Sequence, residues 1–349
     1  MFEMASLHDG QQSLPSFDEL PLVAGMPTGC TWGFWDRDGE PDELGTFNLI
    51  TPKVVCEAIK EVREGVSVSL KCVALGPFPK GKIANPSQSF DDTVSFNTQA
   101  GSQWDGLRHV VHEGSQKLYN GVPKEQIAGG HTSTKLGIDR KFAVDTVMNL
   151  PAPVTIGLIY TDRGTGWHQR GGIVARGVLV DYVAYAQRHG ISYRPTERHE
   201  ITLDAIEQAA VEQGVEFHQG DILILRSGLI QWQADSANRS EAAVWARKPD
   251  KACIGVRASQ DTVAWLWNHH FAAVAGDNIA WEAVPYPLDH PSLHQCLVPL
   301  FGMPIGELWN LEELALTCAR LGRYSFLLTS MPLCIPGGVA SPPNAIAIF

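Results

Sequence analysis

Residues 202–225 read TLDAIEQAAVEQGVEFHQGDILIL: a threonine that can cap a helix, an amphipathic stretch, a glycine stop at Gly214, and then a short run that is almost wholly apolar. The same alternation recurs along the chain. In TPKVVCEAIKEVREG (51–65), Thr51 is the predicted N-cap, Pro52 sits in the first turn and Gly65 is the stop. Val54, Val55, Ala58, Ile59 and Val62 fall on one stripe there, and strand-like VSVSL follows. GVLVD (177–181) leads into YVAYAQRHG, TVAWLWNHH precedes FAAVAGD, and VTIGLIY (154–160) is a further apolar run. Asn310 with Glu313 makes a capping-box-like start to LEELALTCARLG, ahead of YSFLLTS. Apolar strands alternating with amphipathic helices need a sheet covered on both faces. The pattern therefore predicts an α/β fold, a mixed β-sheet with flanking helices, because two-residue hairpin signals are sparse and the connections irregular. No repeat period stands out.

Nothing in the composition divides the chain. It has 349 residues, 44% hydrophobic and 19% charged, which suits a globular protein, and no low-complexity linker interrupts it. One domain over 31–349 is expected behind an N-terminal extension, 1–30, that could lie as an arm across a neighbour. Lys and Arg number 27 against 38 Asp and Glu, a net charge of −11 without a basic cluster, so nucleic acid is not an expected partner. The start, MFEMASLHDG, lacks a cationic flank and apolar core, and no later stretch is apolar enough to span a bilayer. A soluble, cytoplasmic protein with no membrane partner is expected. Seven scattered cysteines without a C-x-x-C pair read as reduced, mostly buried thiols. Neither a G-x-S-x-G elbow nor a phosphate- or dinucleotide-binding glycine motif is present.

NTQAGSQWDGLRHVVH (97–112) is the densest polar stretch. Run as an extended segment, it puts Gln99, Gly101, Gln103, Asp105, Leu107 and His109 on one side. A carboxylate two residues from a carboxamide and four from an imidazole can surround a cation or polarise a water. Equally, Asp105 and Gln103 can satisfy backbone amides in a loop, with His109 a core histidine. A second cluster, PLDHPSLHQCLVPLFGMPIGELWNL (287–311), offers Asp289, His290, His294 and Glu307. Alone, Glu307 is compatible with helix-dipole compensation and His290 with a turn.

GSQWDGLRH (101–109) resembles a diverged form of the H-x-G-T-H-x-D-x-P-x-H signature of the cyclase family, metal-dependent hydrolases that include bacterial kynurenine formamidase and isatin hydrolase. Gly101, Ser102, Asp105 and His109 match or nearly match, Gln99 and Gln103 stand at the two ligand histidines, and Leu107 at the proline. His294 and Glu307 correspond to the family's later histidine and glutamate. The resemblance is widest to a longer subgroup with Q-W-D-G in place of H-x-D-x, running through LPSFDELP, DELGTFNLITP, GIVARGVLVDY, GDILILRSG, GMPIGELWNLEEL and GGVASPPNAIAIF. One member of that wider group is described as a trans-dienelactone hydrolase.

The resemblance implies a swivelling β/β/α domain, assembly as a homodimer or homotetramer, and a small-molecule substrate. It also implies a metal site. A carboxamide oxygen is a weaker donor than imidazole nitrogen, so two glutamines disfavour a two-zinc centre. One divalent ion, Zn2+ or Mn2+, is expected on Gln103, Asp105, His294 and Glu307, with His109 as the general base. The expected reaction is the opening of a small cyclic ester or amide, a lactone ahead of a lactam or an N-formyl arylamine. Trp104, His112 and Tyr119 are expected to contact substrate, and Arg176 to be structural. The alternatives are a lyase or cyclase using the same metal, and a non-catalytic binding protein that has lost it.

Overall fold

The structure is a computed structural model that describes residues 14–71, 94–128, 133–138, 166–286 and 290–349. The apolar run 154–160, Asp289 and Cys72 lie outside the described residues. Eleven strands are formed among those described: β1 (Ser67–Ser69), β2 (Gln103–Asp105), β3 (Ile173–Asp181), β4 (Glu200–Ile201), β5 (Ile222–Arg226), β6 (Gly255–Val256), β7 (Ala273–Gly276), β8 (Ile305–Glu307), β9 (Ser325–Ser330), β10 (Ala340–Ser341) and β11 (Ala345–Ile348). Nine of them make one mixed sheet in the order β1-β11-β9-β3-β5-β7-β8-β2-β10, and β4 with β6 makes a small parallel ribbon. In the large sheet β3, β5, β7 and β8 run parallel to one another, while β9, β11 and β1 on one flank and β2 and β10 on the other pair antiparallel.

Nine α-helical segments accompany the strands among the described residues: α1 (Pro52–Ile59), α2 (Glu125–Ala128), α3 (Tyr182–Arg188), α4 (Leu203–Glu212), α5 (Leu229–Ala234), α6 (Arg239–Ala246), α7 (Gln260–Asn268), α8 (Leu293–Cys296) and α9 (Glu312–Leu321). The predicted caps form. Thr51 and Thr202 each accept from a backbone N–H three residues on, and Asp181, the last residue of β3, caps α3 by accepting from Ala184 N. Two expectations shift. The apolar stripe of α1 is narrower than predicted, with Ala58 buried but Ile59 and Val62 exposed, because the helix ends at Ile59. Helix α9 starts one residue later than the capping-box pattern puts it: Asn310 Oδ1 accepts from Glu312 N at 3.2 Å, and Leu311 is the N-cap.

Burial on both faces explains the all-apolar strands. In β5, Ile222 and Ile224 enter one apolar cluster and Leu223 and Leu225 the other, so a strand that alternates in space need not alternate in polarity. The segment from Leu14 packs on its own chain: Phe17 N donates to Asn268 Oδ1 at the end of α7, Trp267 Nε1 donates to Pro15 O, and Phe17 meets Phe301 edge-on. Arg176 is structural, forking onto both oxygens of Asp221 at 2.9 and 2.7 Å. Six cysteines are described, and Cys30, Cys253, Cys296 and Cys318 are buried. No described helix is long and apolar enough to cross a membrane.

Candidate metal centre

The antiparallel pairing of β2 with β8 sets Gln103 directly opposite Glu307, so both side chains rise from one face of the sheet, with Asp105 two residues along. Helix α8 brings in the imidazole. Ser292 caps it by accepting from Gln295 N, and a π-type turn, Leu297–Phe301, follows before the chain reverses at Gly302. Gly302 has φ +65°, and a Cβ there would lie 2.6 Å from the Tyr119 ring, so the return into β8 requires glycine.

Asp105, His294 and Glu307 thus converge, buried, with one potential ligand atom from each lying within 4.8 Å of the others. His294 Nε2 is 3.1 Å from Glu307 Oε1 and 3.8 Å from Asp105 Oδ2. Its other nitrogen, Nδ1, is 2.8 Å from Glu282 Oε1, and the same carboxylate accepts from the backbone N–H groups of Leu293 and His294 at 2.5 and 2.9 Å. Glu282 therefore fixes both the start of α8 and the ring plane of His294, in the way an outer carboxylate orients a metal-bound histidine. Glu282 carries no helix or strand periodicity, and the sequence reading missed it.

The electrostatics are those of a carboxylate-rich, dry pocket. Burial works against a charge on His294, but the surrounding carboxylates of Asp105, Glu282 and Glu307 outweigh it and raise the imidazole well above its usual 6.5. Burial, and then the charge of Asp105, push Glu307 up to about 8 despite its bonds to His294 and Gln103. Asp105 Oδ2 and Gln103 Oε1 are buried with no hydrogen-bond partner among the described atoms. Two carboxylates that repel one another, a nitrogen aimed between them and an orphaned anionic oxygen form a donor set that fits a divalent cation.

The glutamines are woven into this group differently from the expectation. Gln103 Nε2 donates to Glu307 Oε2 at 2.7 Å and also to Gln99 Oε1, and Gln99 Nε2 donates to Asp105 Oδ1 at 2.6 Å. As placed, Gln103 presents its nitrogen to the carboxylates, and a half-turn of the amide would exchange that nitrogen for the orphaned oxygen. His109 follows β2 in a tight turn, its N–H donating to Gly106 O. Its Nε2 is 3.6 Å from Asp105 Oδ2, its Nδ1 is 3.4 Å from Gln99 Nε2, and its side chain is 28% exposed. Gln99 and His109 thus join the group from turns on either side of a three-residue strand, not from one long extended run, and Leu107 goes into the core. A cleft of about 280 Å³ opens over these residues, walled by Gln99, His109, Ile279, Tyr286, His294 and Glu307.

Three expected substrate contacts fall elsewhere. Trp104 is wholly buried on the opposite face of β2, its Nε1 donating to Ser330 Oγ and its ring edge-on to Phe47, Trp167 and Trp309, because strand alternation turns it away from Gln103 and Asp105. Tyr119 is wholly buried too, its hydroxyl donating to Asp42 Oδ2 at 3.0 Å. His112 does not line the cleft; it closes a turn in which Nδ1 accepts from Ser115 N at 3.1 Å. Tyr286, 46% exposed with its ring 6.4 Å from that of His294, is the aromatic residue at the cleft, and no motif announces it. His290 is a turn residue at the start of the segment carrying α8, its Nδ1 2.6 Å from Pro291 O.

Comparison with known proteins agrees with this geometry. No curated protein sequence matches significantly. A solved structure described as a novel cyclase is 31% identical, covers 92% of this chain and 99% of its own, and superposes with a TM-score of 0.70. An isatin hydrolase bound to the product analogue thioisatinate shares the fold at 15% identity, with a TM-score of 0.51 over 85% of this chain and 98% of its own. Residues 34–283, which include Gln99, Gln103, Asp105, His109 and Glu282, match the family model described as "Putative cyclase". By its sequence and by its fold, the chain belongs to the cyclase family.

Proposed function

We propose that the protein is a metal-dependent hydrolase that opens a small cyclic ester or amide, a lactone ahead of a lactam or an N-formyl arylamine. The observation that carries this reading is the buried Asp105, His294 and Glu307 group with Asp105 Oδ2 lacking a hydrogen-bond partner among the described residues, set beside the partly exposed imidazole of His109 at a small cleft. The named activity of the isatin hydrolase with this fold supports the same chemistry. Asp105, His294 and Glu307 would hold one Zn2+ or Mn2+, with Gln103 joining through Oε1 once its amide turns. When bound, such an ion polarises a carbonyl and makes water acidic near neutral pH.

The remaining roles belong to the chain. His109 takes a proton from the attacking water and returns it to the leaving oxygen or nitrogen, since an imidazole nitrogen can both accept and donate a proton. Gln99 steadies that ring and ties it to Asp105. Glu282 keeps His294 turned toward the two carboxylates. Ile279 and Tyr286 exclude water from the apolar part of the ring being opened. A cleft of about 280 Å³ restricts this ring to a small molecule.

One observation favours a second reading, a metal-free binding pocket: the amide of Gln103 already hydrogen-bonds Glu307 and Gln99, closing the network by itself. Elemental analysis of protein purified without a metal-affinity tag separates the two. Bound Zn or Mn that disappears in Asp105→Ala is the expected result, and protein free of metal that still binds small rings after exhaustive chelation would sink the hydrolase reading. Isotopically labelled water then distinguishes hydrolysis from a lyase or cyclase reaction, since only hydrolysis puts solvent oxygen into the acid product.

A further inference from the structure

Immediately beside the cleft lies a second cavity, of about 300 Å³, that the hydrolase reading does not use. The strip 108–111 separates the two: His109 and Val110 face the cleft, while Arg108 and Val111 line the second cavity together with Leu118, Lys124, Glu125 and Ile127. Its walls are predominantly apolar.

Arg108 makes this cavity unusual. Its guanidinium is buried, the residue only 7% exposed. Nη1 donates to two backbone carbonyls, Ser133 O at 3.0 Å and Gly337 O at 2.8 Å, whereas Nε is buried without an acceptor. Among the described residues no carboxylate forms an ion pair with it; the charge of Glu43 acts on it from further off, and Glu43 Oε2 is engaged by Leu136 N at 2.9 Å. Buried charges in proteins are as a rule paired, because an unpaired one forfeits its hydration with no return. A guanidinium anchored by Nη1 and free along its Nε edge presents the fork that matches a carboxylate.

We propose that this second cavity binds a small carboxylate with an apolar body, the anion on the free edge of Arg108 and the hydrocarbon against Val111, Leu118 and Ile127. Lys124 and Glu125, of opposite charge, also line the cavity, and Lys124 Nζ donates to Gln116 Oε1, so the anion's partner is Arg108. The site stands apart from the metal group, so it does not depend on the hydrolase reading.

Isothermal titration with benzoate, and with benzamide as a neutral probe of the same shape, tests this on wild type, on chelated protein and on Asp105→Ala. Saturable benzoate binding, one per chain, that survives chelation and Asp105→Ala is expected, with benzamide weaker by about tenfold or more. Ile127→Trp, which fills the cavity without touching the cleft, should abolish benzoate binding. Arg108→Lys, which keeps the charge and loses the fork, should weaken it by about tenfold. Circular dichroism melts confirm that each variant folds. No benzoate binding to wild type, equal binding of benzamide, binding retained in Ile127→Trp, or binding lost on chelation, which would put the benzoate in the cleft instead, would each overturn the proposal.

Discussion

Glu282 uses both oxygens on α8, one toward the Leu293 N–H and the other toward the N–H and Nδ1 of His294. Glu282→Gln keeps the shape but removes the anion that favours a proton on Nδ1 and leaves Nε2 free for an ion. It should weaken metal affinity by about 10–100-fold, measured by competition with a chromophoric chelator. Unchanged affinity would mean that the ring is held by packing alone. The proposed mechanism gives His109 a different step. Its Nε2 stands 3.6 Å from Asp105 Oδ2 and its side chain meets the cleft. His109→Ala should lower kcat by about 10²–10⁴-fold with bound metal unchanged, and a variant that kept most of the wild-type rate would remove it from the mechanism. At this scale the sequence was most informative at Asp105, His294 and Glu307, which the family resemblance singled out and the structure brings together. It was silent on Glu282, buried behind His294, and on Tyr286 at the cleft, both on irregular backbone that no periodicity predicts.

Strand β2 is three residues long, and its two faces do opposite work. Gln103 and Asp105 face the polar group, and Trp104 between them locks the strand to the core through Ser330, Phe47, Trp167 and Trp309, while Trp309 Nε1 in turn donates to Gln103 O. The sequence reading set Trp104 near substrate because it stands beside the ligands in sequence; alternation puts sequence neighbours on opposite faces. Trp104→Ala should therefore act as a core truncation, costing about 3–5 kcal/mol in urea unfolding, and Trp104→Phe should recover most of it. If Trp104→Ala instead left stability intact and raised KM alone, this placement would be wrong. The neighbouring strand carries a matching constraint. A Cβ on Gly306 would fall 2.6 Å from Ala275 Cβ, so β7 and β8 approach closely beneath Glu307 only because that position is glycine.

Across the whole molecule, the metal group couples folding to pH. Without an ion, Glu307 holds its proton up to about 8 in the folded chain and only to its usual 4.5 in the unfolded one, so over that interval the native state binds more protons and stability falls as pH rises. His294 acts with the same sign: its contribution is complete below 6.5 and is lost as pH climbs through its raised value. Chelated protein should thus lose melting temperature relative to Glu307→Gln between about pH 5 and pH 8, and added Zn2+ or Mn2+ should restore more at the alkaline end, where ligands shed protons readily. A difference that does not move with pH would place these protons elsewhere. The alternation of caps, amphipathic helices and apolar runs determined by itself that the chain is α/β with a mixed sheet buried on both faces, because hydrophobic burial and helix capping are written locally. The motif residues likewise named the metal candidates. Only the tertiary structure decided which neighbours share a face: that Gln103 meets Glu307 across a strand pair, that Trp104 and Tyr119 are core, that Glu282 holds His294, and that Arg108 lies buried without an ion pair among the described residues. Register, strand order and the path of irregular loops bring together residues more than two hundred positions apart, such as Gln103 and Glu307. Such pairing is a property of the packed sheet, and no local pattern encodes it.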